Sequence, residues 1–454
     1  MIAYLVDFGK KFDLETRVDS LGNVLIRKKA TPGKENLKTI ILQNHMDMVC
    51  EKNSGTEHNF DTDPIIPRVE GKWVKANGTT LGADNGIGIA AALAILETKE
   101  FTHGPIECLF TVDEETGLTG AFGLKEDFLS GKILLNLDSE DEGEIFIGCA
   151  GGKDSVMKLP VTWENTPADY SGFTIEVSGL QGGHSGDDIH KGRGNSNKIL
   201  NRLLWNTYYL NIRIHRFDGG NLRNAIPREA VADIAVPAAS VEEFLNKAQG
   251  IIKEMKAELQ HTDEGLSVII TPAQKPDHVL SKDSQNRLLW SLYACPHGVI
   301  AMSPVITGLV ETSTNLASVR TQADSIIITT SQRSSIESAK NDIATMVGNT
   351  FRLAGASVEH GDGYPGWTPN PGSEILEITR KAYVKLFNTE PQVKAIHAGL
   401  ECGLIGEKYP GMDMVSFGPT IKGAHSPDER IEITTVQKFW DLLLEVLRKA
   451  PNNS

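Results

Sequence analysis

Lys38-Thr39-Ile40-Ile41-Leu42-Gln43-Asn44-His45-Met46-Asp47 joins a run of branched apolar residues to a histidine and, two positions on, an aspartate. A short, nearly continuous apolar run predicts a strand buried on both faces, as in the parallel sheets of layered α/β proteins. The side chains that follow such a strand enter the crevice outside the sheet's edge, where α/β proteins bind ligands. In extended chain, residues at i and i+2 point the same way, so His45 can face an ion while Asp47 orients it. A histidine after a strand is also what an ordinary core histidine looks like, so the pair needs company before it means chemistry.

The pattern repeats outward from this strand. VLIRKKA (24–30) reads as a strand, residues 86–98 as a helix of small and branched residues packed on a sheet, and IECLFTV (106–112) as a strand ending at Asp113-Glu114-Glu115. A short helix is expected over 117–122, and KILLNLD (132–138) is a further strand ending at Asp138. This is an α/β domain with a central, mostly parallel sheet covered by helices. Near Trp163 the character changes to strand pairs alternating with helices at 196–209, 241–259, 282–292 and 335–350, an α+β unit of about 200 residues. Residues 373–454 return to a helix, two short strands and a long terminal helix, too little for a domain alone. The expected division is a discontinuous domain of 1–167 and 370–454, interrupted by an inserted domain of 168–369.

Composition narrows the class. A chain of 454 residues with 40% hydrophobic residues builds sizeable cores, and a formal net charge of −14 without a basic stripe argues against nucleic acid as partner. Cys50, Cys108, Cys149, Cys295 and Cys402 are odd in number and far apart, which fits buried thiols in a reducing compartment. No run approaches the roughly 18 apolar residues of a membrane span, and the N-terminus lacks the apolar core of a signal peptide, so the expectation is a cytoplasmic protein with no membrane partner.

The candidate ligands follow successive strands. Asp84, in Leu81-Gly82-Ala83-Asp84-Asn85-Gly86, precedes a helix between glycines; it reads either as an N-cap or as a carboxylate whose two oxygens bridge two cations. Adjacent Glu114 and Glu115 repel unless a cation or proton separates their roles, one as ligand and the other as proton acceptor. Asp138 ends the next strand, and His425 lies in an irregular Gly- and Pro-containing loop that can bring it back. Together they supply each of two ions with about two side chains and a shared oxygen, a cocatalytic hydrolase pattern. Several first-row ions suit such N/O ligands. His184, in Gly182-Gly183-His184-Ser185-Gly186, reads as a surface loop or as an imidazole set against an oxyanion.

Seven stretches, in order, carry a resemblance: ILQNHMDMV, LGADNGIG, FTVDEETGLTGA, LLNLDSEDEGE, GGHSG, HAGLECG and KGAHSPDE. Over essentially the whole chain the sequence resembles the aminoacyl-histidine dipeptidases, the cytosolic Xaa-His dipeptidases of the M20 metallopeptidases. The resemblance implies a di-zinc peptidase domain with an inserted lid and dimerisation domain, and small peptides as substrates. It implies that His45 and Asp138 hold one ion and Glu115 and His425 the other, with Asp84 bridging. The ions are zinc, with cobalt or manganese as alternatives. Glu114 is then the general base, Asp47 supports His45, and His184 stabilises the oxyanion from the partner subunit of a homodimer. Arg333 takes the substrate carboxylate, with Asn224 a second candidate, and His397 and Glu401 line the substrate pocket. Relatives carry an additional N-terminal segment ahead of the position of Met1.

Competing readings share parts of this pattern. A related deacylase or a tripeptide aminopeptidase uses much the same metal core, and HAGLECG with the large inserted domain favours the dipeptidase. A binding protein that had lost catalysis would be expected to lack the base, whereas Glu114 is present.

Overall fold

The computed structural model describes residues 1–452. Contacts divide the chain into two units, the first made of Met1–Cys149, Trp367–Ile396 and Leu400–Ser454, the second of Ala150–Gly366 and His397–Gly399.

The first unit is organised by an eight-stranded sheet with the spatial order Glu15–Val18, Val24–Lys28, Ile106–Thr111, Ile40–His45, Ile133–Asn136, Asp413–Ser416, Glu144–Cys149, Gln392–Ile396. Ile40–His45 lies between Ile106–Thr111 and Ile133–Asn136 and runs parallel to both. Every residue of these three strands is buried, as expected of apolar runs covered on both faces. Register does the rest. His45 stands opposite Thr111, and Gln43 opposite Asn136, so the three strands finish together. His45, Glu114–Glu115 and Asp138 therefore leave the sheet at one edge.

Asp413–Ser416 pairs in parallel with Ile133–Asn136, and Gln392–Ile396 with Glu144–Cys149, so the C-terminal segment is part of this sheet. The sheet is mixed. Its first two pairings and that between Asp413–Ser416 and Glu144–Cys149 are antiparallel. A small antiparallel sheet of Pro67–Glu70, Trp73–Ala76, Arg430–Glu432 and Ile421–Lys422 holds both ends of the loop bearing His425.

The second unit is a nine-stranded antiparallel sheet with helices Ser196–Thr207, Val241–Glu258, Lys282–Ala294 and Glu337–Leu353. Gly151–Pro160 alternates between buried and exposed residues along its second half, the signature of a sheet covered on one face. Its core gathers Phe217, Phe244 and Phe351 with leucines and isoleucines from strands and helices.

The boundary falls at residue 150, not near 167, because Gly151–Pro160 pairs along its whole length with Ser325–Ser334. Tyr364 likewise pairs with Gly152, which moves the far edge from 370 to 366. His397–Gly399 also belongs to the second unit, with Ala150 donating to the Ala398 carbonyl.

Candidate active site

His45 is the last residue of its strand and 1% exposed. Its Nε2 lies 2.9 Å from Asp84 Oδ1 and 3.2 Å from Asp138 Oδ1. On the other side Nδ1 is 3.1 Å from the Asp47 carbonyl and 3.6 Å from its carboxylate. The Asp47 carboxylate has a second task that the sequence did not suggest: it accepts the N–H groups of Glu114 and Glu115 at 3.1 and 3.0 Å. It thereby ties the strand carrying His45 to the turn carrying both glutamates. That turn is forced by Asp113, whose φ of 57° is left-handed and whose carboxylate takes the hydroxyls of Thr116 and Thr119.

Asp84 opens the helix Ala83–Glu97 with non-helical backbone. Asn85 donates to the Leu137 carbonyl at 2.9 Å and to the Asp138 carboxylate, which fixes Asp138 in turn. Gly88 on the same helix passes so close to this layer that a Cβ would lie 2.8 Å from the Leu137 carbonyl oxygen. His425, with a left-handed φ of 62°, projects its Nε2 to 3.3 Å from Asp84 Oδ2 and 3.0 Å from Glu115 Oε2. The two oxygens of Asp84 thus face two different imidazoles.

Three groups of donor atoms lie within 4.8 Å of one another: His45 with Asp84 and Asp138; Asp84 with Glu115 and His425; and His45 with Glu114 and Glu115. Four carboxylates against two imidazoles is an excess of negative charge that two divalent cations match. Glu115 Oε1 is buried with no hydrogen-bond partner. An orphaned carboxylate oxygen among N/O donors of this kind fits a metal centre.

The electrostatics follow the crowding. Burial, then the Asp138 charge, raises the Glu114 carboxyl to about 9. Burial also raises Asp138 to about 6 and Glu140 to about 8. For His45 burial opposes protonation, but Asp138, Asp47 and Asp84 override it and hold the imidazolium far above its ordinary range. Hydrogen bonds to Asp84 and Glu115 raise His425 to about 10. Asp84 resists its own burial through those two histidines and falls well below the usual carboxylate range.

Glu401 is a correction. It is 1% exposed, accepting from Gln43 Nε2 at 2.5 Å and Thr111 Oγ1 at 2.7 Å, so it braces two neighbouring strand ends from beneath and does not line an open pocket. Burial raises its carboxyl to about 8.

The other predicted residues form a separate cluster in the second unit. Arg333, 7% exposed on Ser325–Ser334, donates from Nη1 to the Tyr364 hydroxyl at 2.9 Å, and its Nη2 lies 3.3 Å from His184 Nε2. Its Nε is buried without a partner. His184 is held by Asp188, which accepts its N–H at 2.8 Å, and its Nδ1 accepts the N–H of Asp187 at 3.2 Å. His397 packs Nε2 against Ser313 Oγ at 2.7 Å, leaves Nδ1 unpartnered, and is depressed to about 3 by burial and by the Arg333 charge. Asn224 is exposed and enters only through its carbonyl, which accepts from Ser185 N at 2.8 Å. A forked cation beside N–H donors suits a carboxylate. Tyr364 and Ser313 carried no sequence signal.

A family model described as peptidase family M20/M25/M40 matches residues 41–449. The cytosol non-specific dipeptidase of Escherichia coli (strain K12) is 45% identical over 449 residues, 99% of this chain and 93% of the relative. The crystal structure of aminoacylhistidine dipeptidase from Vibrio alginolyticus superposes with a TM-score of 0.94 at 45% identity, covering 100% of this chain and 93% of that one. Aminopeptidase PepT from Bacillus cereus shares the fold, with a TM-score of 0.61 at 18% identity over 99% of this chain and 92% of its own. With the family match spanning the strand ends, the glutamate pair and the His425 loop alike, this chain is a hydrolytic enzyme of peptidase family M20/M25/M40.

Proposed function

We propose that this protein is a dipeptidase that hydrolyses dipeptides, Xaa-His dipeptides among them, at a site of two divalent ions, with zinc the first choice and cobalt or manganese as alternatives. One observation carries the reading: Asp84 offers one oxygen to the His45–Asp138 side and the other to the His425–Glu115 side. Those five residues hold the ions. When bound, the ions supply Lewis acidity toward a water molecule and the scissile carbonyl.

The chain's own groups do the rest. Glu114 accepts the proton of the attacking water and returns it to the departing amine. Nearby cations favour the ionised form that this role requires, against the burial that raises its carboxyl. Asp47 sets Glu114 and Glu115 in place through their backbone N–H groups. His184 stabilises the developing oxyanion, and Arg333 pairs with the C-terminal carboxylate of the peptide, with His397 beside it. The names of the two relatives at 45% identity support dipeptides as the substrate class. The name of the Escherichia coli relative also favours a cytosolic enzyme; no helix among the described residues is long and apolar enough to cross a membrane. A homodimer formed through the second unit completes the proposal.

The test is a substrate panel on the metal-loaded protein: an Xaa-His dipeptide, its N-acetylated form and a tripeptide. Cleavage of the free dipeptide well above the other two is expected. Preference for the acetylated form would make the protein a deacylase, and preference for the tripeptide an aminopeptidase.

A further inference from the structure

Glu429 lies four residues beyond His425 and is 2% exposed. Its carboxylate reaches the start of the helix Ala83–Glu97 and accepts four backbone N–H groups. Leu81 and Gly82 donate to Oε2 at 2.6 and 2.9 Å, and Ala83 and Asp84 donate to Oε1 at 2.7 and 3.2 Å. A helix leaves its first N–H groups without partners inside the helix, and a residue such as Ser or Asp at the N-cap ordinarily supplies one acceptor. Here the N-cap is Gly82, in left-handed conformation and without any side-chain acceptor. The cap comes instead from a residue more than 340 positions away in sequence.

The capping group and the capped turn each belong to one half of the metal centre. Asp84 sits on the turn. His425 sits on the loop from Gly423 to Glu429, which is closed by Glu429 N donating to Ser426 O at 3.0 Å and Ser426 Oγ donating to Gly423 O at 2.7 Å. That loop has no other four-bonded tie to the Asp84 turn among the described residues. A carboxylate taking four N–H groups is charge-assisted at every bond, and here it holds the turn just ahead of the non-helical backbone at Asp84 and Asn85. The geometry points to Glu429 as the positioning residue that sets the distance between Asp84 and His425, and with it the affinity of the site for its second ion. This rests on the two-ion reading above. Glu429 is not one of the five residues assigned to the ions; it acts through the backbone of one of them and the loop of another.

A matched control exists in the same unit. Glu107 is 1% exposed and also multiply bonded, accepting from Arg27 Nε at 2.7 Å, Ser130 N at 3.0 Å, Ser130 Oγ at 2.8 Å and Gly131 N at 3.0 Å, but it serves no ligand. The experiment titrates cobalt(II) into metal-stripped full-length protein, followed by visible absorption, for wild type, Glu429→Gln, Glu429→Asp and Glu107→Gln. Urea unfolding of each metal-free protein runs alongside. Glu429→Gln places an amide N–H₂ against N–H donors and is expected to weaken uptake of the second equivalent by about 10- to 100-fold. Glu429→Asp, with the charge kept and the arm shortened, is expected to fall between it and wild type, and stands in if the glutamine variant fails to fold. Glu107→Gln is expected to lose stability comparably and bind cobalt as wild type does. Wild-type affinity in both Glu429 variants, or an equal loss in Glu107→Gln, overturns the assignment. Failure of wild type to take up two equivalents overturns the two-ion reading, and this inference with it.

Discussion

In the first unit the functional side chains stand at the ends of adjacent parallel strands and are mostly acids, crowded until several carboxyls hold their protons far above the usual range. In the second, Arg333, His184 and His397 come from the end of a strand, a glycine-rich loop and a three-residue return of the chain, and burial, with the Arg333 charge added, drives the His397 imidazole down to about 3. The first gathers four carboxylates against two imidazoles, while the second sets the Arg333 guanidinium and two imidazoles beside Asp187 and Asp188. Each cluster is built from residues of its own unit, so each can be tested by itself.

The largest effect is expected from Glu114→Gln, which keeps shape and ligands but removes the proton acceptor. The dipeptide kcat should drop by about 10²- to 10⁴-fold with two ions still bound. Loss of the ions together with the activity would mean that Glu114 is a ligand. Next comes Arg333→Ala, expected to cost about 1.5–3 kcal/mol in kcat/KM for free dipeptides. Dipeptide amides, which carry no terminal carboxylate, should be little affected, and an equal loss on both substrates would remove Arg333 from that role.

Smaller effects should separate the clusters by pH in the metal-free protein. Glu401 keeps its proton up to about 8 in the folded chain, so from the ordinary carboxylate range up to that pH the folded state binds more protons and stability falls as pH rises. His397 stays neutral down to about 3, so between that pH and the ordinary imidazole range the unfolded state binds the extra proton and stability falls as pH falls. Glu401→Gln should flatten the alkaline limb of the Tm profile, and His397→Gln the acid limb. If each variant left its limb unchanged, burial would not be what sets these groups.

The same contrast governs how much the sequence disclosed. Branched apolar runs that end in His45, Glu114–Glu115 and Asp138 are legible because parallel strands in register deliver their final residues to one edge. The glycines around Asp84 and the helix behind it left two readings, an N-cap and a bridging carboxylate; in the structure the N-cap is Gly82. The grip of Asp47 on the glutamate turn, the reach of Glu429 and the brace formed by Glu401 depend on contacts between segments up to hundreds of residues apart, for which local pattern carries no mark. The boundary at residue 150 was hidden for a related reason: the unit to which Gly151–Pro160 belongs is decided by its partner strand, Ser325–Ser334, more than 150 residues on.

The central claim is that Asp84 joins two ions into one hydrolytic site. Its most direct test counts ions bound per chain while zinc is returned stepwise to the stripped enzyme, with the rate of Xaa-His cleavage followed at each step, in wild type and in Asp84→Asn. Wild type should bind two, reach full rate only with the second, and lose tight binding of the pair in the variant. Full activity with one ion, or two ions held tightly by Asp84→Asn, would contradict it.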